Sequence, residues 1–205
     1  MKILFLGDPD CPLVTYLQYS GEKVVSTADK INMGFINVHR PEFLISYGYR
    51  HIISADILEH YLNTAINLHI SFLPWNRGAD PNFWSFVENT PKGVTIHYLD
   101  EGIDTGDIIV QKEVKFSDHD TLRTTYLKLH EEIQILFKTY WINIILGECA
   151  RIPQTFSCPI PPSHKSIDKE KLAFLLTDGW DTPVRILEEY AAETQLSSQF
   201  WRDSL

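Results

Sequence analysis

Short apolar runs, each about the length of a β-strand, recur along the first half of the chain. Continuous runs are typical of a buried parallel sheet, and runs that alternate apolar with polar residues also predict strands. The predicted strands are Lys2–Leu6, Lys23–Ser26, Phe43–Tyr47, Ala65–His69, Gly93–Leu99 and Asp107–Phe116. Helical patterns lie at Leu13–Ser20 and at Ile53–Tyr61, the second with Ser54 as its N-cap. This alternation predicts an α/β fold with a Rossmann-like, mainly parallel sheet and flanking helices.

A long helix is predicted after the last strand, because apolar residues recur there at helical spacing. Its apolar stripe comprises Leu122, Tyr126, Leu129, Ile133, Leu136, Tyr140 and Ile144. Asp118 or Asp120 is the predicted N-cap, and Gly147 is the predicted stop. Such a stripe indicates a helix that packs on the sheet as part of the core, and we see no candidate site on it.

The C-terminal part begins with a proline-rich stretch over residues 152–163, which predicts an extended connector. Short helices are predicted at Asn82–Glu88, Asp168–Leu176 and Pro183–Ala192. We therefore expect one main domain over residues 1–151 and a short C-terminal extension over residues 152–205.

Composition and charge narrow the classes of function. The chain has 205 residues and a formal net charge of −9, which disfavours a nucleic-acid partner because an acidic surface gains nothing from a phosphate backbone. Cys11, Cys149 and Cys158 form no C-x-x-C pair, which is typical of reduced thiols. The N-terminal run is too short for a signal peptide, and no stretch is long enough to span a membrane. We expect a cytoplasmic protein without membrane association.

The turn after the first predicted strand lacks the features of a nucleotide-binding turn. A dinucleotide site needs G-x-G-x-x-G, so that the backbone can approach a pyrophosphate at a helix N-terminus. The segment from Gly7 to Pro12 instead reads GDPDCP, with two acidic residues and two prolines. Acidic side chains repel phosphate, and prolines lack N–H donors. NAD, FAD and P-loop nucleotides are therefore excluded at this turn.

Two polar side chains are expected to project together from the end of one strand. Asn67 and His69 are two residues apart, so they point to the same side of the sheet. The carboxyl ends of parallel strands are where open α/β sheets bind ligands. An amide can donate to an oxyanion and an imidazole can carry a proton, while Asp104, in a glycine-flanked loop, can orient or charge that imidazole. Spacing alone leaves a structural role for each of these residues open.

The order of the motifs resembles a known family. The run NLHISFLPWNRGADPNFW from Asn67 and the run GVTIHYLDEGIDTGDII from Gly93 are similar to formyltransferases that use N10-formyltetrahydrofolate. That family includes glycinamide ribonucleotide transformylase, the catalytic domain of methionyl-tRNA formyltransferase and the sugar N-formyltransferases. Its pattern is roughly N-x-H-x-S-x-L-P, a glycine loop, G-V-T-x-H and D-x-G-x-I. Ile70 stands where many members have proline.

The resemblance implies the formyltransferase fold and a catalytic triad of Asn67, His69 and Asp104, with no metal. A neutral amine would attack the formyl carbon, Asn67 would stabilise the oxyanion, and His69 and Asp104 would handle protons. Which of these two takes the amine proton stays open from the sequence. His97 matches the histidine of the family's G-V-T-x-H motif, and we favour a structural role for it.

The resemblance also implies a pterin pocket built largely from backbone groups of two loops. The matching residues are Arg50, His51, Ile52, Ile53, Leu99, Gly102 and Ile103. For Ile52 and Ile53, an ordinary place in the core is equally consistent with the sequence.

Three classes of amine compete as the acceptor. The acidic charge and the short C-terminal part disfavour tRNA, because the tRNA enzymes carry an added basic domain. The purine enzymes have a phosphate loop where this chain has Asp8, Pro9 and Asp10. The stretches RGADPNFWSF and SHKSIDKEKL look most like bacterial sugar N-formyltransferases. This resemblance implies that the acceptor is a dTDP-, UDP- or GDP-linked amino-deoxy sugar. Such a sugar would serve the synthesis of a surface polysaccharide such as the O-antigen of lipopolysaccharide. The candidate substrate-binding residues are Arg77 on the diphosphate and Trp75 or Trp84 on the base or sugar.

Two other functions remain alternatives. A formyltetrahydrofolate hydrolase would use the same triad with water in place of the amine, and it normally carries an extra N-terminal domain. A non-catalytic folate-binding protein would not need all of Asn67, His69 and Asp104. Because related sugar enzymes are often dimers, a homodimer is a further expectation, with the C-terminal segment as its candidate contact.

Overall fold

The computed structural model describes residues 1–154 and 163–202, with side chains described as far as residue 194. Within these residues the centre is a six-stranded sheet in the order β2-β1-β3-β4-β5-β6. Its strands are β1 (Lys2–Gly7), β2 (Lys23–Thr27), β3 (Phe43–Tyr47), β4 (Ala65–His69), β5 (Gly93–Tyr98) and β6 (Ile108–Glu113). β1 to β4 pair in parallel, and β5 and β6 continue the sheet antiparallel. The predicted mainly parallel α/β sheet is confirmed.

Helices flank this sheet. They are α1 (Pro12–Tyr19), α2 (Met33–His39), α3 (Ala55–Leu58), α4 (Pro81–Val87), α5 (Leu122–Ile145) and α6 (Val184–Arg202), with 3-10 helices at Ser166–Leu175 and Gly179–Asp181. Among the described helices, none combines the length and the apolar character that a membrane crossing requires.

The largest apolar cluster lies between the sheet and α1 and α5. Alternate strand residues such as Phe5, Ile45 and Leu68 point into it, as the period of two in a strand requires. The α5 side chains Phe137 and Trp141 are almost fully buried against them. This face therefore fixes α5 along the sheet, with its N-terminal end at the carboxyl ends of the parallel strands.

The opposite face of the sheet is covered by α2 and α3. Leu4, Leu6 and Leu44 point to that side and share a cluster with Ile36 of α2 and Ile57 of α3. A third cluster joins α4 and α6 to the first residue of α5. The C-terminal part of the chain thus packs against the main sheet domain, and the division at residue 151 stays a prediction.

The long helix begins at a different cap from the one predicted. Thr121 is the N-cap, and its hydroxyl accepts the Thr124 N–H in a capping box. Neither Asp118 nor Asp120 caps the helix. The Asp120 carboxylate instead accepts the Ser117 N–H and the Thr124 hydroxyl, which orders the turn just before the helix. An acidic residue next to a Ser/Thr cap thus misled the sequence interpretation.

Most of the predicted α5 stripe is buried, including Leu122, Leu129 and Ile133, but its aromatic positions differ from the prediction. Phe137 and Trp141 are buried, whereas Tyr140 is 37% exposed. The helix ends before Gly147, whose φ of 68° is the left-handed conformation typical of a helix stop. The aromatic rings that fill the space over the sheet, rather than the regular spacing alone, decide which side faces inward.

Other differences concern short elements with weak patterns. α2 was not predicted; Asn32 caps it by accepting the Phe35 N–H. α3 is shorter than the predicted Ile53–Tyr61, and Ser54 makes no side-chain capping bond. The predicted helix at Asp168–Leu176 is a 3-10 helix over Ser166–Leu175. Most of the predicted connector, with Cys158, lies outside the described residues.

A buried polar pair links α5 to the end of β3. The Tyr47 hydroxyl shares a hydrogen bond with His130 Nδ1, and the Tyr126 and His130 rings lie 4.2 Å apart between centroids. Burial lowers the pKa of His130 to about 4, because apolar surroundings disfavour the imidazolium ion.

His130 should make folding stability depend on pH. Its pKa in the unfolded chain is about 6.5, and its pKa in the folded protein is about 4. Between these two pH values the ring is therefore protonated in the unfolded chain and neutral in the folded protein. Its stabilising contribution is full above pH 6.5 and is lost as the pH falls. We expect the free energy of unfolding to drop between pH 7 and pH 5 by about 2 kcal/mol more in the wild type than in His130→Phe. Urea denaturation at both pH values measures this, and an equal drop in the two proteins would contradict it.

Candidate active site

The three predicted catalytic residues meet at one point beside the end of β4. Asn67 and His69 lie on one face of that strand, and Asp104 lies in the loop between β5 and β6. Asn67 Nδ2 donates to Asp104 Oδ1 over 3.1 Å, and His69 Nδ1 lies 3.7 Å from Asp104 Oδ2. Residues 35 to 37 positions apart in the chain are therefore neighbours in the fold.

The Asp104 carboxylate is the centre of this cluster. Besides the Asn67 amide it accepts the backbone N–H of Gly78, over 2.8 Å. Asp104 has a φ of 52°, a left-handed conformation that aspartate tolerates better than most residues. Gln154 holds the loop from outside by donating to the carbonyls of Asp104 and Gly106. The loop is thus fixed both through its side chain and through its backbone.

The charge states of the pair follow from its surroundings. Burial alone raises the pKa of Asp104, but the interaction with His69 and the hydrogen bond from the Gly78 N–H oppose burial and help to hold that pKa well below its usual range. Burial lowers the pKa of His69, and the nearby Asp104 only partly opposes this. At neutral pH the site therefore holds a carboxylate beside a neutral imidazole.

His97 belongs to the same cluster, although the sequence favoured a structural role. β5 pairs with β4 so that His97 stands opposite Asn67. Its Nδ1 lies 2.7 Å from the carbonyl of Tyr98, and its Nε2 lies 3.2 Å from Asn67 Nδ2 and 3.4 Å from Asp104 Oδ1. A ring that donates through Nδ1 leaves Nε2 as an acceptor for the amide, which fixes the Asn67 NH₂ toward the cluster. The signal for this role was the G-V-T-x-H position of the family pattern.

The loop over residues 76–79 closes the other side of the site. The carbonyl of Asn76 lies 3.3 Å from His69 Nε2, and the Asn76 side chain bonds to Glu88 and Thr90. Because this side chain is tied in two places, the carbonyl that faces His69 is held in position.

His164, from the C-terminal part, clamps this loop. Its N–H donates to the Arg77 carbonyl, and its carbonyl accepts the Ala79 N–H. A Cβ on Gly78 would lie 2.3 Å from the His164 carbonyl oxygen, and Gly78 has a φ of 87°, so only glycine fits there. The clamp therefore aims the Gly78 N–H at Asp104.

The predicted substrate-binding residues lie around this loop and stay predictions. Trp75 is half-buried, and Arg77 is 7% exposed. The Trp84 ring stacks on the His164 ring, with centroids 3.9 Å apart and planes 7° apart. That stacking occupies one face of the indole.

The residues predicted for the pterin pocket lie in two loops. One follows β3 and contains Arg50, His51, Ile52 and Ile53; the other follows β5 and contains Leu99, Gly102 and Ile103. Ile52 and Ile103 are 78% and 45% exposed, whereas Ile53 is buried. An exposed isoleucine in each loop is consistent with a ligand between them, while Ile53 belongs to the core.

Metal ligands are not grouped in the described part of the chain. There, no three histidine, cysteine, aspartate or glutamate side chains come together in a way that could hold a metal ion. Asn67, His69 and Asp104 form instead a donor, a proton carrier and a carboxylate, which suits acyl transfer through an oxyanion.

Solved structures share this fold. The formyltransferase PseJ from Anoxybacillus kamchatkensis, in complex with UDP-4,6-dideoxy-4-formamido-L-AltNAc and tetrahydrofolate, is 51% identical, with a TM-score of 0.88 over 93% of this chain and 100% of that chain. A 4-N formyltransferase from Francisella tularensis is 22% identical, with a TM-score of 0.73 over 93% of this chain and 87% of its own. The second likeness concerns the fold alone.

Curated relatives match over part of their length. Phosphoribosylglycinamide formyltransferase of Bacillus subtilis is 37% identical over 97 residues, which are 47% of this chain and 50% of that protein. Methionyl-tRNA formyltransferase of Ruminiclostridium cellulolyticum is 33% identical over 151 residues, 70% of this chain and 47% of its own. The chain spans half or less of the length of these two relatives. The formyl transferase family profile matches residues 12–139, and with the triad geometry this means that the chain belongs to the formyl transferase family.

Proposed function

We propose that this protein moves a formyl group from N10-formyltetrahydrofolate to the primary amine of a nucleotide-linked amino-deoxy sugar. The observation that carries the proposal is the contact of the Asp104 carboxylate with both the Asn67 amide and the His69 ring. PseJ supports the choice of substrate, because its complex contains a UDP-sugar and tetrahydrofolate and this chain covers its whole length. A role in surface polysaccharide synthesis in the cytoplasm fits such a substrate.

The geometry supports direct transfer. The amine lone pair attacks the formyl carbon, a new C–N bond forms, and the carbonyl oxygen becomes an oxyanion. In the free protein the two N–H groups of the Asn67 amide are directed at Asp104 and His97, so one of them must turn to the oxyanion for this amide to stabilise it. Collapse of the intermediate breaks the bond from the formyl carbon to N10, which leaves with a proton as tetrahydrofolate.

His69 is the group that takes the amine proton in this proposal. Burial keeps its pKa low, so a neutral ring is available to accept a proton at neutral pH. The ionised Asp104 lies 3.7 Å away and stabilises the imidazolium that results. His69 can then pass that proton to N10.

Three alternatives differ in the acceptor. The purine and tRNA enzymes are relatives by sequence, but the match covers about half of the former and less of the latter, and the −9 charge disfavours tRNA. A hydrolase would use water at the same site.

A panel of acceptors tests the proposal. Purified protein is incubated with N10-formyltetrahydrofolate and either UDP-, dTDP- or GDP-linked amino sugars, glycinamide ribonucleotide or no amine, and tetrahydrofolate release is followed. We expect release only with a nucleotide sugar. Release without an amine indicates a hydrolase, and release with glycinamide ribonucleotide alone indicates a purine enzyme.

Removal of either proton-handling residue should lower turnover strongly without loss of folate binding. We expect His69→Ala and Asp104→Asn each to lower kcat by about 10²–10⁴-fold, because the acceptor of the amine proton or its counter-charge is gone. Initial rates and the Kd for tetrahydrofolate measure this. His119→Ala and Asp118→Asn, at exposed positions outside the site, are the matched controls; near-normal kcat in a triad variant would refute the assignment.

The protonation state of His69 should determine the pH below which kcat falls. Since its pKa is lowered and the protonated ring cannot accept the amine proton, we expect kcat to fall only below the ordinary histidine pKa of about 6.5. Asp104 raises the pKa of His69, so Asp104→Asn should shift the His69 titration to still lower pH. NMR titration of the His69 ring in both proteins measures the shift, and a higher pKa in Asp104→Asn would contradict it.

A further inference from the structure

The segment over residues 151–154, which follows α5, is fixed beside the start of β6. Ile152 pairs with Ile108 through two backbone hydrogen bonds, over 2.8 and 2.9 Å. Arg151 Nε donates to the Asp107 carboxylate over 2.6 Å. Because backbone and side-chain bonds both hold this segment, the residue that follows it is delivered to one place on the loop between β5 and β6.

That residue is Gln154, and its amide bridges two carbonyl groups of the loop. Gln154 Nε2 lies 3.0 Å from the carbonyl oxygen of Asp104 and 2.7 Å from that of Gly106. A primary amide carries two N–H groups, so Gln154 can donate to both oxygens at once. The two carbonyl groups, on either side of Thr105, are thereby kept pointing to the same side of the loop.

The bond to the Asp104 carbonyl bears on the backbone of the carboxylate that organises the site. Asp104 has a φ of 52°, and a residue other than glycine stays in this left-handed region only where its surroundings hold it there. The Gln154 bond fixes the peptide group that follows Asp104. The side chain is then kept where it meets the Asn67 amide and the Gly78 N–H.

The bond to the Gly106 carbonyl reaches the same cluster by a second route. A Cβ on Gly106 would overlap the carbonyl oxygen of Tyr98, so the Gly106 backbone is packed directly against that oxygen. The same Tyr98 oxygen lies 2.7 Å from His97 Nδ1, and the other ring nitrogen of His97 faces the Asn67 amide. Gln154 therefore supports both neighbours of the Asp104 carboxylate in the sheet.

We propose that Gln154 is a positioning residue for formyl transfer, whose amide holds the backbone on both sides of Thr105 so that the Asp104 carboxylate stays beside His69. This inference rests on the proposed function and adds a residue from the C-terminal part of the chain to its site. Gln154 acts through Asp104. Without its two hydrogen bonds, Asp104 can leave the left-handed region and its carboxylate moves away from the imidazole.

Two substitutions test this role by kinetics. Gln154→Ala removes the amide, and Gln154→Glu keeps its length but puts a carboxylate without N–H donors against two carbonyl oxygens. We expect each to lower kcat about 10–100-fold, as a small displacement of a catalytic group does, with the KM for the nucleotide sugar changed less than about threefold. Gln18→Ala, the same substitution at an exposed residue of α1, is the matched control and should keep the wild-type kcat.

Two further readouts separate positioning from a general loss of structure. Asp104 raises the pKa of His69, and the other titratable neighbour, His97, lowers it. A displaced carboxylate should therefore lower the pKa of His69 in Gln154→Ala, which NMR titration of the ring measures. In an Asp104→Asn background, Gln154→Ala should shift that pKa no further and should lower kcat far less than in the wild type, because the two residues act as one unit.

The outcomes also distinguish this inference from the proposed function. An unchanged His69 pKa in Gln154→Ala, the same fold loss of kcat in both backgrounds, or a wild-type kcat in Gln154→Glu overturns the positioning role. Should Gln154→Ala fail to fold, the same titration and the same double variant are made with Gln154→Glu. If the wild type formylates no nucleotide sugar, the proposed function fails, whereas the His69 titration needs no acceptor and still decides whether Gln154 holds Asp104 in place.

Discussion

The hydrogen bonds around the Asp104 carboxylate are the constraint on which the site depends. A buried carboxylate is costly unless donors surround it, and here the Asn67 amide and the Gly78 N–H supply them. Each donor is fixed by this role: Asn67 presents its NH₂ toward the cluster, and the loop over residues 76–79 is drawn against the end of β4. The same negative charge faces His69 and would stabilise the imidazolium form of that ring during a reaction. Before the reaction, burial keeps the ring neutral.

The C-terminal part of the chain contacts both loops that form this arrangement. Gln154 donates to the backbone of the Asp104 loop, and His164 pairs with the loop that carries Gly78. Stacking of His164 on Trp84 and the contact of His164 Nε2 with Glu88 Oε1 over 3.0 Å tie that segment to α4. The C-terminal part thus supports a site whose predicted reacting groups lie on or beside the sheet, and Lys169 and Trp180 also line a neighbouring cavity.

This arrangement also accounts for the place of the predicted aromatic and basic residues. Substrate contact by Trp84 and Arg77 stays a prediction; both are buried, and one face of the Trp84 ring is engaged by His164. Trp180, which the sequence did not single out, is the tryptophan at the rim of a cavity. A pattern identifies an aromatic residue in a loop, but only the packing of that loop decides which ring face is open to a ligand.

The sequence by itself determined the six strands, the position of α5 and the identity of Asn67, His69 and Asp104, because strand and helix periodicities are local and the family motifs are contiguous runs. It did not determine the partners of Asp104, since Gly78, His97 and Gln154 are separated from it in the chain and meet it only through the antiparallel β4–β5 pairing and the folded loops. The Thr121 cap and the inward turn of Trp141 were likewise decided by tertiary packing. Each of these depends on which backbone or ring lies beside it in the folded protein. The pattern of residues along the chain does not specify neighbours that are distant in sequence.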